Sequence, residues 1–327
     1  MNRRLDMSRH GFPIDFLRRL KYHGLGHTEV RTQGAGRVAK LQSDGLVRRQ
    51  VRTTGRVEAG SVFREVFAGV EQFPALSVYV HGSWGDGTMT PFSDYDDLVI
   101  VDYARVEGER ELRRMEAFLH EVDGRFCRRD PLQHHGHWIV AREELAALDE
   151  SYIPLSVLEG AVCVQGEEEI EYRVDVERSK KGFRRNIGLT CEGVERFYRD
   201  YGEGRINLFD MKCLAGSFFI MPAYLFQSRG ELISKPEAIR RAGELFGAGA
   251  CAVIATCTEI RREWGRVVDT PEFGRFRRMG RFFKNGNMHR RYARAMAGRF
   301  PVEEFPVLAA DEVAEFVKEA RDHANRE

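Results

Sequence analysis

Two short stretches of this 327-residue chain carry residue types that chemistry could use: His81-Gly82-Ser83 and Ser93-Asp94-Tyr95-Asp96, both inside VYVHGSWGDGTMTPFSDYDDLVIV. Gly82 lets a backbone come close to a ligand. Ser83 offers a hydroxyl and an amide, and a helix starting after it would add free amides facing an anion. Asp94 and Asp96 stand one residue apart, so their carboxylates can share a cation. Such a set can hold a polyphosphate and a divalent metal at once, which points to phosphoryl or nucleotidyl transfer.

The elements that must position these residues read as strands. Ser77 to His81 alternates apolar and polar residues, and Leu98 to Val101 is an unbroken aliphatic run. On a strand the side-chain period of two puts Asp94 and Asp96 on one face, with α-carbons about 6–7 Å apart. Bare carboxylates at that distance repel by roughly 2–3 kcal/mol at an effective dielectric of about 20. A cation between them removes that repulsion, and oxygen ligands suit Mg²⁺, which takes one or two carboxylates plus phosphates and water. Asp97 points to the opposite face and is not assigned to the metal. A lone Asp-x-Asp is usually an acidic turn. Here Gly-Ser, a ten-residue gap, Ser-Asp-x-Asp and an aliphatic strand follow in order.

That order resembles the DNA-polymerase-β-like nucleotidyltransferase superfamily, and within it the minimal and aminoglycoside-type enzymes. The match is specific over residues 77–103, weaker to about residue 166 and only architectural beyond. The resemblance implies an α+β fold, a mixed-sheet nucleotidyltransferase core with a C-terminal helical bundle. It implies transfer of a nucleoside monophosphate from NTP, ATP in the first place, to a hydroxyl of a small-molecule, protein or RNA acceptor. Gly82 and Ser83 would hold the triphosphate, and Asp94 and Asp96 would be catalytic ligands of Mg²⁺. The alternative is a non-catalytic nucleotide- or RNA-binding module, or an antitoxin-like interaction protein.

The superfamily usually carries a third carboxylate on a later strand. The expected segment, residues 130–140, follows a helix in which Leu112, Met115, Leu119 and Val122 fall at helical spacing. As a strand it contains no acid, and it puts Gln133, His135 and His137 on one face and His134 on the other. Three readings are open. His135 replaces the acid as a catalytic base, titrating near 6.5 if unperturbed. Alternatively, the histidines bind another metal, since imidazole suits Zn²⁺ and similar ions. Or they are neutral strand residues in a site lacking its third acid. Asp130 at the strand entrance is the fallback carboxylate.

The chain's net charge is +1, unevenly spread: thirteen Lys/Arg against five Asp/Glu in residues 1–60, and twelve against three in residues 261–300. Basic ends of this kind attract polyanions such as NTP or RNA; the plainer reading is solvated helix faces. Six scattered cysteines form no C-x-x-C pair and read as small buried residues. The start has no apolar core of a secretory signal. The longest apolar stretch, Cys213 to Phe226, is interrupted by Pro222 and reads as a buried core helix rather than a span. A cytoplasmic protein with no membrane partner is the expectation.

Three regions follow along the chain: a basic N-terminal extension over 1–60, the nucleotidyltransferase domain over 61–178 and a helical domain over 179–327. Ser61 caps a short apolar helix leading into the Gly-Ser strand. A strand at Ala161 to Val164 and an alternating edge segment, Glu167 to Asp175, close the core. Helices are expected over Glu192 to Tyr201, Phe209 to Phe226, from Ser234 to about Phe246 behind a capping-box spacing, Cys251 to Trp264, and Asp311 to Ala324.

Overall fold

The strand patterns build a five-stranded mixed sheet in a computed structural model that describes residues 45–58, 60–90, 93–268, 270–280, 286–297, 300, 302 and 305–326. Residues 1–44 of the expected extension lie outside the described residues. Its last part is part of the sheets: Leu46–Arg52 forms β1 and Gly55–Arg56 forms β2. Helix α1, Val62–Val66, follows, capped by Ser61 as expected. Then come β3 (Leu76–His81), the single turn α2 (Gly82–Gly85), β4 (Asp96–Val101), α3 (Glu109–Arg129), β5 (Trp138–Ala141), β6 (Val162–Gln165) and β7 (Glu169–Asp175). The sheet order is β2-β6-β3-β4-β5, and β1 pairs with β7 as a separate ribbon. Strands β3 and β4 are antiparallel with His81 opposite Asp96, while β4 and β5 run parallel.

The centre of this sheet is buried on both faces, which is why β4 reads as a continuous aliphatic run. Val78, Val80, Val99 and Val101 pack with Leu112, Met115, Leu119 and Val122 of α3. Tyr79, Leu98 and Ile100 pack on the other side with Ile170, Tyr172 and Val174 of β7. Alternate residues of β3 and β4 thus feed two different cores, and the sheet cannot slip by one position without inverting both.

Asp175 caps α4 (Val176–Gly202), accepting from the Arg178 amide at 3.0 Å. Helices α5 (Leu208–Ser228), α6 (Lys235–Arg240), α7 (Ala248–Val268), α8 (Pro271–Gly280), α9 (Gly286–Ala297) and α10 (Ala310–Asn325) follow. The helix expected from Glu192 is the last part of α4, whose first half carries few apolar residues and so shows little periodicity. Helix α6 was expected to reach Phe246; it stops at Arg240, and a separate turn spans Ala242–Glu244. Helix α5 is longer than its apolar stretch suggested. Its 21 residues could cross a membrane by length and composition, but 67% of the apolar window is buried inside the protein. Together, α4, α5, α7 and α10 share one core through Ile187, Leu214, Phe218, Ile260 and Phe316.

Candidate functional site

The site is built around Tyr95. Its ring is buried between Trp84, stacked at 4.6 Å between centroids, and Phe126 of α3 at 5.2 Å. The side-chain amide of Gln133 grips its backbone: Tyr95 N–H donates to Oε1 at 2.9 Å, and Nε2 donates to Tyr95 O at 3.1 Å. With Tyr95 turned into the core, alternation turns Asp94 and Asp96 the other way. Asp97 faces back into the sheet, as expected from its parity, and sits 2.6 Å from His137 Nδ1.

Each of the two acids carries a cationic partner rather than standing bare. Asp94 Oδ1 accepts from Lys212 Nζ of α5 at 2.7 Å and lies 3.1 Å from His134 Nδ1. Asp96 Oδ1 lies 2.9 Å from His135 Nε2. Burial opposes ionisation of Asp94, but His134 and Lys212 outweigh it and hold the carboxyl well below the usual carboxylate range. Asp96 is likewise lowered, burial being overcome by His135. Lys212 donates all three of its N–H bonds, to Asp94, to Asp130 Oδ2 at 2.8 Å and to Leu132 O at 3.0 Å. Burial would lower its pKa; Asp130 and Asp94 raise it instead.

Gly82 adopts a left-handed φ of 65°, and a Cβ there would stand 2.6 Å from Asp96 Oδ2. The glycine is therefore needed for the close approach of the β3 turn to Asp96, a role inside the protein beside the one toward a ligand. Ser83 follows it on α2 and is half-buried. Across the site, Arg261 of α7 donates to Thr90 Oγ1 at 3.0 Å and Ser93 Oγ at 3.1 Å. Its guanidinium lies over Phe219 and Trp264. Burial lowers its pKa, against the pull of Asp94 and Asp96.

The third-strand expectation needs correction. Strand β5 begins only at Trp138, and residues 130–137 are irregular. Gln133, His135 and His137 therefore do not share a face. Gln133 holds Tyr95, His135 meets Asp96, and His137 lies on the far side of the sheet between Asp97 and Leu119 O, the latter at 2.7 Å. His134, expected on the other face, joins Asp94. His135 is also not a neutral imidazole near pH 6.5. Burial works against its charge, but Asp96 beside it raises its pKa to about 9. His134 stays below its ordinary value because burial outweighs Asp94. Asp130 is no spare base, since Lys212 engages it. The residues that sequence reasoning missed are Lys212, Arg261 and the bridging role of Gln133. The one signal for Lys212 was a lysine opening an otherwise apolar helix.

Compared with known proteins, the chain matches no family model, no curated protein and no solved structure.

The Oδ2 atoms of Asp94 and Asp96 carry no hydrogen bond among the described residues, so each acid keeps an oxygen for a ligand. A dication fits the carboxylates in that sense. The imidazoles of His134 and His135 stand in the same cluster, their ligand atoms and that of Asp94 all within 4.8 Å of one another.

Proposed function

We propose that the protein transfers a nucleoside monophosphate from NTP to an acceptor hydroxyl, on a nucleotidyltransferase-type core. The observation that carries this reading is the convergence of Gly82-Ser83, Asp94 and Asp96 at one end of β3 and β4, under the guanidinium of Arg261. Acids for a cation and a guanidinium for phosphates are thus brought together, Arg261 bonding Ser93 next to Asp94. Asp94 and Asp96 would hold the divalent cation, Mg²⁺ by the family resemblance, which when bound polarises the phosphate under attack and neutralises the leaving pyrophosphate. Ser83 would donate its hydroxyl to the terminal phosphates. Arg261 keeps donors beyond its two to Thr90 and Ser93, and a planar fork of this kind suits phosphate oxygens. Lys212, fully bonded, orients Asp94 instead of reaching substrate. His135, protonated beside Asp96, is set up to stabilise negative charge or to give a proton. Helices α5 and α7 reach the acids through Lys212 and Arg261, and an acceptor would lie against them.

A second reading, nucleotide binding without chemistry, draws on the same ion pairs: Lys212 and His135 already neutralise the acids. Incubation with labelled NTP and a divalent metal separates the two. Transfer predicts pyrophosphate release that Asp94→Asn and Asp96→Asn each abolish. Binding of NTP with no pyrophosphate, across small-molecule, RNA and protein acceptors, would leave the second reading alone.

A further inference from the structure

We propose that Asp94, His134 and His135, with Asp96 beside His135, bind a first-row transition-metal dication of the Zn²⁺ type in preference to Mg²⁺. The cation site shares its acids with the transfer reading, and metal binding is measured without nucleotide. The donors are mixed nitrogen and oxygen, and imidazole favours zinc and its neighbours over magnesium, which keeps to oxygen and water.

Two further features point the same way. His135 Nδ1 lies 3.1 Å from Gly136 O, which can only accept, so Nδ1 bears a hydrogen and Nε2 is the outward atom. That is the usual arrangement of a metal-bound histidine, its second nitrogen tied to a carbonyl that fixes tautomer and ring. The spacing is the second. Asp94, His134 and His135 each present a ligand atom, all within 4.8 Å of one another. Donors at roughly 2.1 Å from a tetrahedral metal stand about 3.4 Å apart, so a modest closing of the cluster would seat one. When no metal is bound, a proton on His135 Nε2 bridges to Asp96 Oδ1, 2.9 Å away, and a bound metal would displace it.

The neighbouring cations do not close the site. Lys212 engages Oδ1 of Asp94 and leaves Oδ2 open, and Arg261 is held by Thr90 and Ser93. His134 and Asp94 keep 26% and 15% side-chain exposure, enough for entry from solvent.

Titration of the full-length, metal-stripped chain with Co²⁺ tests the site, because imidazole-ligated cobalt absorbs in the visible. One equivalent should give a ligand-field band that Zn²⁺ abolishes and a large excess of Mg²⁺ does not. His134→Ala and His135→Ala should each weaken Zn²⁺ binding by roughly 100-fold or more, beyond what losing an outer-shell partner costs. His134→Gln and His135→Gln, with circular dichroism and melting curves, guard against misfolding. No band at one equivalent, a band unchanged in folded histidine variants, or Mg²⁺ competing as well as Zn²⁺ would each overturn the proposal. A Zn²⁺ site without pyrophosphate release would instead sink the transfer reading and leave the metal site standing.

Discussion

Lys212→Met is the most telling single substitution. Methionine keeps the side chain as far as Cε and deletes the ammonium, whose three hydrogen bonds end on Asp94, Asp130 and Leu132 O. The side chains of Lys212 and Asp130 are only 5% and 6% exposed, so water cannot replace the lost charge. Removing one partner of a buried pair costs about 3–5 kcal/mol, because the remaining charge stays unpaired in low dielectric. At roughly 2 °C per kcal/mol in a chain of this size, the melting temperature should fall by about 6–10 °C. The cost comes from the stranded acids rather than from lost attraction alone. Lys212→Met combined with Asp130→Asn and Asp94→Asn should therefore recover most of the loss, since replacing a whole buried ion cluster is often near neutral. Urea unfolding of the wild type, the single variant and the triple variant gives both numbers. A single-variant loss below about 1 kcal/mol, or a triple variant no better than the single, would refute the reasoning.

Three other outcomes follow from the same geometry. His137 has its pKa raised to about 9, burial being overcome by Asp97, so its stabilisation is full below about pH 6.5 and fades as pH rises through about 9. Urea midpoints of the wild type should fall across that window more steeply than those of Asp97→Asn, in which only His135 still titrates there; parallel curves would contradict the pairing. Gly82→Ala should cost more than Gly204→Ala, although both glycines have nearly the same φ (65° and 67°), because only at Gly82 does a Cβ meet Asp96. Backbone strain alone, of order 1–2 kcal/mol, should appear in both, and equal losses would show that Asp96 yields freely. Ser83→Ala should weaken NTP binding more than NMP binding in a calorimetric titration, and an equal fall would remove the hydroxyl from the terminal phosphates.

Alternation along Ser93 to Asp97 was legible in the sequence because it is a property of four consecutive bonds. Asp94 and Asp96 together and Asp97 opposed follow from a period of two. The glycine before Ser83 was read as room for a ligand; the structure shows that it also makes room for Asp96. The amphipathic spacing of α3 was equally local. What the sequence misjudged was residues 130–137, where three histidines and Gln133 looked like alternating strand positions. Their side chains are claimed one by one by Tyr95, Asp94, Asp96 and Asp97, and no short-range pattern encodes that. Tertiary structure alone decided the charges of the site. Lys212 reaches Asp94 across 118 positions of sequence and Arg261 reaches Ser93 across 168. Once buried there, they and the acids set each other's protonation. Spacing along the chain determines which way a side chain points; the charge it carries depends on burial and on neighbours that only folding brings near.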